Sequence, residues 1–279
     1  MRDEKGITGG GDVTKKISGT LEWAPISKNI QMGCDNGEKG GCLYCYARAR
    51  ALRFKQIPNR EAWGHPVFNE RHLNERPKKL KGRIFFPSAH DITPRNIDQV
   101  VYYLKRWLSV GNEFLIVSKP NIACVRRLCD ELANYRDQIL YRFTIGSMDD
   151  EALSFWDPGI SGFGEREVCL QAAFDDGFKT SISSEPYLDS TIIDLVPRLA
   201  PYVTDAHWIG LMNGVKVRVN KDGWGLKEYA RLMNLQSVQD ETGVKMIYSV
   251  FHDNPKVKWK DSIKKVLGLP VATEAGLDI

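Results

Sequence analysis

The sequence predicts an α/β protein built as a partial (β/α)6 TIM-type barrel, and three observations predict it. After residue 80, short apolar runs of strand character alternate with longer segments of helical periodicity. A proline or a capping residue opens several of those helices, as at Thr93–Pro94 and Asp189–Ser190. Each expected strand also ends in polar residues, at the end where parallel α/β folds gather their ligands.

Taken in order, the expected strands are Arg83–Pro87, Glu113–Ser118, Leu140–Ile145, Lys179–Ser183 and Ala206–Leu211, with Met246–Val250 as the last. The helices between them are Asn96–Ser109, Ile122–Asn134, Glu165–Asp176, Ser190–Ala200 and Leu226–Thr242. With a first strand near Gln31–Gly33 or just before it, about six β/α units result. Such a barrel is more open than one of eight strands and leaves room for a large substrate at its mouth. Residues 1–20, glycine-rich and charged, read as a flexible N-terminal arm. Residues 21–250 form the partial barrel and 251–279 a C-terminal helical extension.

Composition sets the outer bounds. The chain has 279 residues, 42% hydrophobic and 27% charged, which suits a globular protein with a sizeable core. A net charge of +4 is compatible with a nucleic-acid substrate without requiring one. No stretch approaches the ~18–20 uninterrupted apolar residues of a membrane span. The first residues, MRDEKGITGGGDVTKK, contain no apolar signal region, so a cytoplasmic location is expected. In a reducing compartment a cysteine cluster reads as metal-binding or redox, not as a disulfide framework.

Three of the six cysteines, Cys34, Cys42 and Cys45, form a C-x7-C-x2-C loop that holds Gly37, Gly40 and Gly41 and follows Gly33. Thiolates are soft anionic donors suited to iron, and glycines allow the tight wrap such a loop needs. A cuboidal cluster held by three cysteines keeps one iron open to an exogenous ligand. A structural zinc site requires a fourth donor. Cys124 and Cys129 lie in a helix-like segment as small core residues, which leaves a remote histidine as the source of that donor. The run YARARALRFK after the last cysteine reads as a helix, so the loop sits between a strand and a helix, where a β/α barrel places its chemistry.

The strand ends read Ser88-Ala89-His90-Asp91, Ser118-Lys119-Pro120, Gly146-Ser147-Met148-Asp149, Ser184-Glu185-Pro186 and Met212-Asn213. Singly, such residues serve as helix caps; together, behind a three-cysteine loop, they point to one site.

On these residues the chain resembles the radical S-adenosylmethionine (SAM) superfamily, in particular the spore photoproduct lyase and DNA-repair-photolyase-like group with its phage-associated relatives. The shared features are the loop ending G-C-L-Y-C-Y-A, then S-x-x-D-I at 88–92, I-V-S-K-P at 116–120, F-T-I-G-S at 143–147 and D-D-E-A-L at 149–153. The segment from Trp156 to Asp189, ending E-P-Y-L-D, completes the series, and the resemblance runs from about Trp23 to Asn213. It implies a partial barrel of the radical SAM kind, with a [4Fe–4S] cluster on Cys34, Cys42 and Cys45 and SAM as cosubstrate. Tyr44 and Tyr46 would lie near the adenine, and Ser88 and Asp91 would line the pocket. Lys119 would receive the SAM carboxylate, and Thr144, Ser147 and Glu185 would bond the ribose or the methionine amine. The implied reaction is reductive cleavage of SAM followed by hydrogen abstraction from substrate, with flavodoxin or ferredoxin as electron donor and lyase or modifying chemistry as the outcome.

The chain departs from that pattern in three places. Its cysteine spacing is longer than C-x3-C-x2-C, and P-S-A-H-D replaces the usual Gly-Gly-Glu strand end. Ser88 stands where the spore lyase carries a hydrogen-donating cysteine. A serine O–H bond is too strong to yield hydrogen to a carbon radical readily, which argues against thymine-photoproduct repair by that route. Tyr141, Tyr187 and Cys169 are the alternative donors. For substrate, the basic stretches Arg48–Lys55, Lys78–Arg83 and Lys256–Lys265, the last with Trp259 for stacking, fit DNA or RNA. A peptide or small metabolite is the alternative substrate, and a non-catalytic zinc- or cluster-binding module is the alternative class.

Overall fold

The computed structural model of the chain describes residues 17, 19–37 and 41–277. Apart from Ile17, Gly19 and Thr20, the arm expected over 1–20 lies outside the described residues.

Among the described residues nine strands follow in order: β1 (Ile26–Ser27), β2 (Gln31–Met32), β3 (Val67–Phe68), β4 (Ile84–Phe86), β5 (Phe114–Ser118), β6 (Ile139–Thr144), β7 (Lys179–Ser184), β8 (His207–Ile209) and β9 (Val257–Trp259). Seven of them form one sheet in the order β1-β4-β5-β6-β7-β8-β9. Every neighbouring pair in it is parallel. A sheet in sequence order with helical crossovers is the strand ladder of a β/α barrel. Because β1 and β9 do not pair, it is a curled, open half-barrel. The expected class is therefore observed, as an open barrel of seven parallel strands.

The differences lie at the two ends. The first strand is Ile26–Ser27; Gln31–Met32 pairs instead with Val67–Phe68 in a small antiparallel ribbon. Met246–Val250 is not a strand but part of the helix Glu241–Phe251. Val244, Ile247 and Phe251 bury one face of that helix while Met246 and Val250 are exposed, and the Asp240 carboxylate caps it through the Gly243 N–H. The last strand comes from 257–259, inside the segment read as an extension, and the helix Asp261–Leu267 follows it.

Outside the sheet, helices supply apolar stripes. In Ile97–Leu108 the residues Val100, Tyr103, Leu104, Trp107 and Leu108 recur at helical spacing and are all buried. Full burial of such a side chain contributes about 1.5–3 kcal/mol. Inside the arc, Trp23, Phe85, Leu115, Leu140 and Trp208 form a separate cluster. Arg142 of β6 runs through it, fully buried, with its guanidinium 4.7 Å from the Trp23 ring and 5.4 Å from Trp208. Its Nε donates to Ser181 Oγ at 2.9 Å and its Nη2 to Asp205 at 3.0 Å.

The two sheet edges are tied to each other. The 3-10 turn Gly19–Glu22 leads toward β1, and Lys260 directly follows β9. Lys260 Nζ donates to Gly19 O at 2.9 Å and pairs with Glu22 at 3.1 Å, while Asp261 N donates to Glu22 Oε2 at 3.2 Å. No helix among the described residues is long and apolar enough to cross a membrane.

Candidate active site at the strand ends

The three cysteines are placed by a loop whose backbone admits little else. Gly33 has φ +93°, and a Cβ there would lie 2.8 Å from Trp63 O and 2.9 Å from Pro66 Cα. Cys34 N then donates to Trp63 O, Leu43 N to Trp156 O and Cys45 N to Cys42 O. Cys45 ends the loop and caps the helix Tyr46–Arg53, its Sγ accepting from Arg48 N at 3.4 Å. All three thiols are free and line one cavity of about 420 Å³ at the carboxyl ends of the strands.

The strand ends close the other sides of that cavity. Ser88, Ala89, His90 and Asp91 follow β4, Ser118 and Lys119 end β5, Thr144 ends β6, Ser183 and Glu185 come from β7, and Leu211 and Met212 follow β8. Of the residues expected in the site, Tyr44, Tyr46, Ser88, Asp91, Lys119, Thr144 and Glu185 line it with the three cysteines. Ser147 does not. It is fully buried, donates to Asp189 and accepts from Asp149 N, and so holds the turn after β6.

Lys119 and Asp91 form the electrostatic centre. Asp91 accepts from Lys119 N at 2.8 Å, Asn36 Nδ2 at 3.0 Å and Ser118 Oγ at 3.2 Å, and Lys119 Nζ stands 3.7 Å away. Burial pushes the Asp91 carboxyl upward, but the Lys119 ammonium and these donors outweigh it and hold its pKa below the ordinary value. Burial also opposes the charge on Lys119; Asp91, with Cys42, Tyr44 and Asp157, reverses that and raises its pKa well above the ordinary lysine value. The Tyr44 ring lies 5.6 Å from Lys119 Nζ.

Burial pushes the Cys34 thiol up to about 12 and Cys42 well above its usual value, the latter against the pull of Lys119. Buried thiols of this kind become ligands when a metal neutralises the thiolates, and Lys119 beside Cys42 works in the same direction. Among the described residues, no three His, Cys, Asp or Glu side chains are grouped closely enough for a single metal ion. Cys34, Cys42 and Cys45 line the cavity together, and among the described residues no fourth ligand joins them as a structural zinc requires. Three thiols bordering one cavity are the donor type an iron–sulfur cluster would take, and Cys34, Cys42 and Cys45 would hold it.

Several groups here carried no signal in the sequence. Trp23 and Thr20 reach the cavity from the segment before β1, and Trp63 backs Cys34. Arg218 also lines the cavity, as the last residue of the short helix Val215–Arg218, nine residues beyond the end of β8. The alternative hydrogen donors lie elsewhere: Tyr141, Tyr187 and Cys169 are fully buried in the main core, and none lines the cavity.

The basic stretches divide between opposite ends of the sheet. Lys78–Arg83 precedes β4 at the amino end, where Arg83 donates to Trp23 O at 2.9 Å. Lys256 donates to Val203 O at 2.7 Å, and Trp259 is core, packed on Tyr248 at 5.3 Å, so it is not a stacking platform. At the cavity end the helix Tyr46–Arg53 packs on Val215–Arg218, and Arg60 Nη2 donates to Arg218 O at 3.2 Å. Arg218 lies over Tyr46 at 6.0 Å and Arg53 over Phe54 at 5.7 Å, with those rings 43% and 61% exposed.

No family model matches the chain. A curated relative, "Uncharacterized protein ORF301" of Acidianus two-tailed virus, is 26% identical over 188 residues, 63% of this chain and 58% of the relative. The chain thus spans less than two thirds of that relative's length. Among solved structures, SuiB of Streptococcus suis bound to S-adenosylmethionine is similar with a TM-score of 0.50 at 13% identity, over 89% of this chain and 53% of that one. Spore photoproduct lyase complexed with dinucleoside spore photoproduct gives a TM-score of 0.48 at 16% identity, over 89% and 79% of the two chains.

Proposed function

The chain has the partial-barrel fold of the radical SAM superfamily, and on that premise we propose that it is a radical SAM enzyme acting on a nucleic-acid substrate. The observation that carries this reading is the convergence of Cys34, Cys42 and Cys45 with Lys119 on one cavity at the strand ends. In this reading Cys34, Cys42 and Cys45 hold a [4Fe–4S] cluster. When bound and reduced, such a cluster supplies the electron that splits S-adenosylmethionine and starts radical chemistry on the substrate.

The chain's own residues bind and orient. Lys119 receives the carboxylate of SAM, its position fixed by Asp91 and by the Tyr44 ring. Thr144 and Glu185 accept from the ribose or the amine on the facing wall. Tyr46 donates its hydroxyl to Ser88 O, which holds its ring at the rim next to Cys45. The apolar floor of Trp23 and Val117 keeps water from the reacting atoms. SuiB binds S-adenosylmethionine on the same fold, which supports the cosubstrate. The nucleic-acid part rests on Arg218, which lines the cavity over the exposed Tyr46 ring and takes a hydrogen bond from Arg60 on its carbonyl, the kind of pairing that tracks phosphates and stacks bases.

The test is anaerobic purification with iron and sulfide analysis, then incubation with dithionite and SAM. A brown protein that releases 5′-deoxyadenosine is expected, and Cys42→Ala is expected to lose iron while keeping its circular dichroism. A reconstituted protein that binds iron and never yields 5′-deoxyadenosine is a cluster-binding module and ends the enzyme reading. Binding of a labelled single-stranded oligonucleotide, weakened in Arg218→Ala, supports the substrate class; its absence turns the reading to a peptide or small metabolite.

A further inference from the structure

Lys260 is fully buried, and it is held in a way that a merely structural residue does not need. Its Nζ stands 3.1 Å from Glu22, 3.5 Å from Glu185 and 4.0 Å from the centre of the Trp23 ring. Glu22 is as hidden as Lys260, whereas the Glu185 side chain is 21% exposed and lines the cavity. Gly210 makes the approach feasible: a Cβ there would lie 2.8 Å from Lys260 Cγ and 2.9 Å from Glu185 Cγ. Joining two sheet edges does not call for this. A buried ion pair is commonly matched or bettered in stability by apolar residues of similar volume, so a seam alone is closed as well by leucine. What apolar residues cannot do is hold a carboxylate at a fixed point on a cavity wall.

Three of the groups around Lys260, namely Glu185, Trp23 and Gly19, line the cavity themselves. Glu185 meets Lys260 through its carboxylate, Trp23 through its ring and Gly19 through its carbonyl. Lys260 is thus one fixed cation from which a carboxylate, an indole and a stretch of backbone on the cavity wall all take their positions.

We infer that Lys260 is a positioning residue, which acts through Glu185 to present a carboxylate to hydroxyl or ammonium donors of the ligand. The inference rests on the reading that S-adenosylmethionine occupies the cavity. It adds to that reading a residue outside the cavity wall, from the lysine-rich stretch Lys256–Lys265 that the sequence suggested for nucleic-acid binding.

The test uses the reconstituted protein and measures SAM binding by calorimetry. Lys260→Met combined with Glu22→Gln removes both charges of the fully buried pair at once, so the fold is kept, as thermal unfolding will verify. This double variant is expected to bind SAM at least tenfold more weakly, and Glu185→Gln to show a similar loss. In the triple variant the losses should not multiply, because Lys260 acts through Glu185. In steady state the loss should fall on KM for SAM rather than on kcat. Lys245→Met, a surface lysine paired with Glu241, is the control for lost charge. Wild-type affinity in the folded double variant, or losses that multiply in the triple, overturns the inference. Wild-type protein that does not bind SAM overturns the cosubstrate reading instead, so the two failures are told apart.

Discussion

Breaking the Asp157–Arg166 pair should cost more than replacing it, and the difference can be worked from its surroundings. Arg166 lies in the helix Phe163–Asp175 and is fully buried; Asp157 is 1% exposed. The guanidinium donates to Asp157 Oδ2 at 3.1 Å, Ser161 O at 2.9 Å and Thr144 O at 3.2 Å. Thr144 lines the cavity, and Asp157 follows Trp156, whose carbonyl accepts from Leu43 in the cysteine loop at 2.9 Å. The pair thus ties the loop to the end of β6. Asp157→Leu leaves the guanidinium buried with carbonyls alone, and Arg166→Met leaves a buried carboxylate; each should cost about 3–5 kcal/mol.

At ~2.1 cal/mol/K per residue, unfolding 279 residues carries an entropy of ~0.6 kcal/mol/K, so a loss of ~4 kcal/mol lowers Tm by about 7 °C. The double variant removes both charges and should be more stable than either single one, with a coupling of ~2 kcal/mol or more. The assay is thermal and urea unfolding of all four proteins without cofactor. If the double variant loses the sum of the two single losses, the pair is not a coupled buried unit and the reasoning fails.

Two further outcomes follow from single positions. Burial holds His207 neutral, with its pKa lowered from 6.5 to about 3, while its Nε2 meets Ser184 Oγ at 2.8 Å. The unfolded chain takes up that proton as the pH falls below about 6.5, so the stability contributed is present above that pH and is lost on the way down toward pH 3. About 2 kcal/mol should be lost between neutral pH and pH 5. His207→Gln should remove this part of the pH dependence in denaturant titrations, and an unchanged profile would sink the assignment. Gly33→Ala places a Cβ against Trp63 and Pro66 at φ +93°, with a cost of about 1–3 kcal/mol. Iron bound per chain should fall by more than half, while Cys124→Ala retains it; equal iron in both would show that the loop tolerates the side chain.

The middle of the fold was legible because its signals are local. β4, β5, β6 and β8 each carry a short apolar run followed by a polar end, and helices between them show clear stripes, as Val100–Leu108 does. Met246–Val250 misled because an apolar run of that length suits either state; the cap at Asp240 and the burial of Val244, two residues before it, and Phe251, one residue after it, decide for helix. Val257–Trp259 was missed because Lys256 and Lys258 make it read as a solvated basic stretch. Buried cations were the least legible. Arg142, Arg166 and Lys260 sit among ordinary-looking charges, and only the tertiary arrangement supplies the carboxylates and rings that make their burial tolerable. Ser147 shows the reverse: a polar strand end that spends its hydroxyl on Asp189 and has none left for the cavity.

The strand order explains how so few residues can set the charge pattern of the cavity. Asp91 after β4 meets Lys119 at the end of β5, and these two strands are direct neighbours. Glu185 after β7 meets Lys260 after β9, two positions along the sheet with β8 between, and Gly210 at the end of β8 is the residue that leaves the gap. Each carboxylate therefore receives its cation from a strand end nearby in the sheet, and both pairs adjoin the cavity that the cysteine loop borders. Fixed pairs of opposite sign on two walls suit a ligand that itself carries both signs. A ligand amine or sulfonium gains from a carboxylate already in place, and its carboxylate gains from Lys119, without rearrangement of the wall. A ligand bearing a single charge would gain from one pair and meet repulsion from the nearer member of the other. Under the proposed function the pattern suits a zwitterionic cosubstrate in the cavity, with Arg218 and Arg60, members of neither pair, left for a polyanionic substrate.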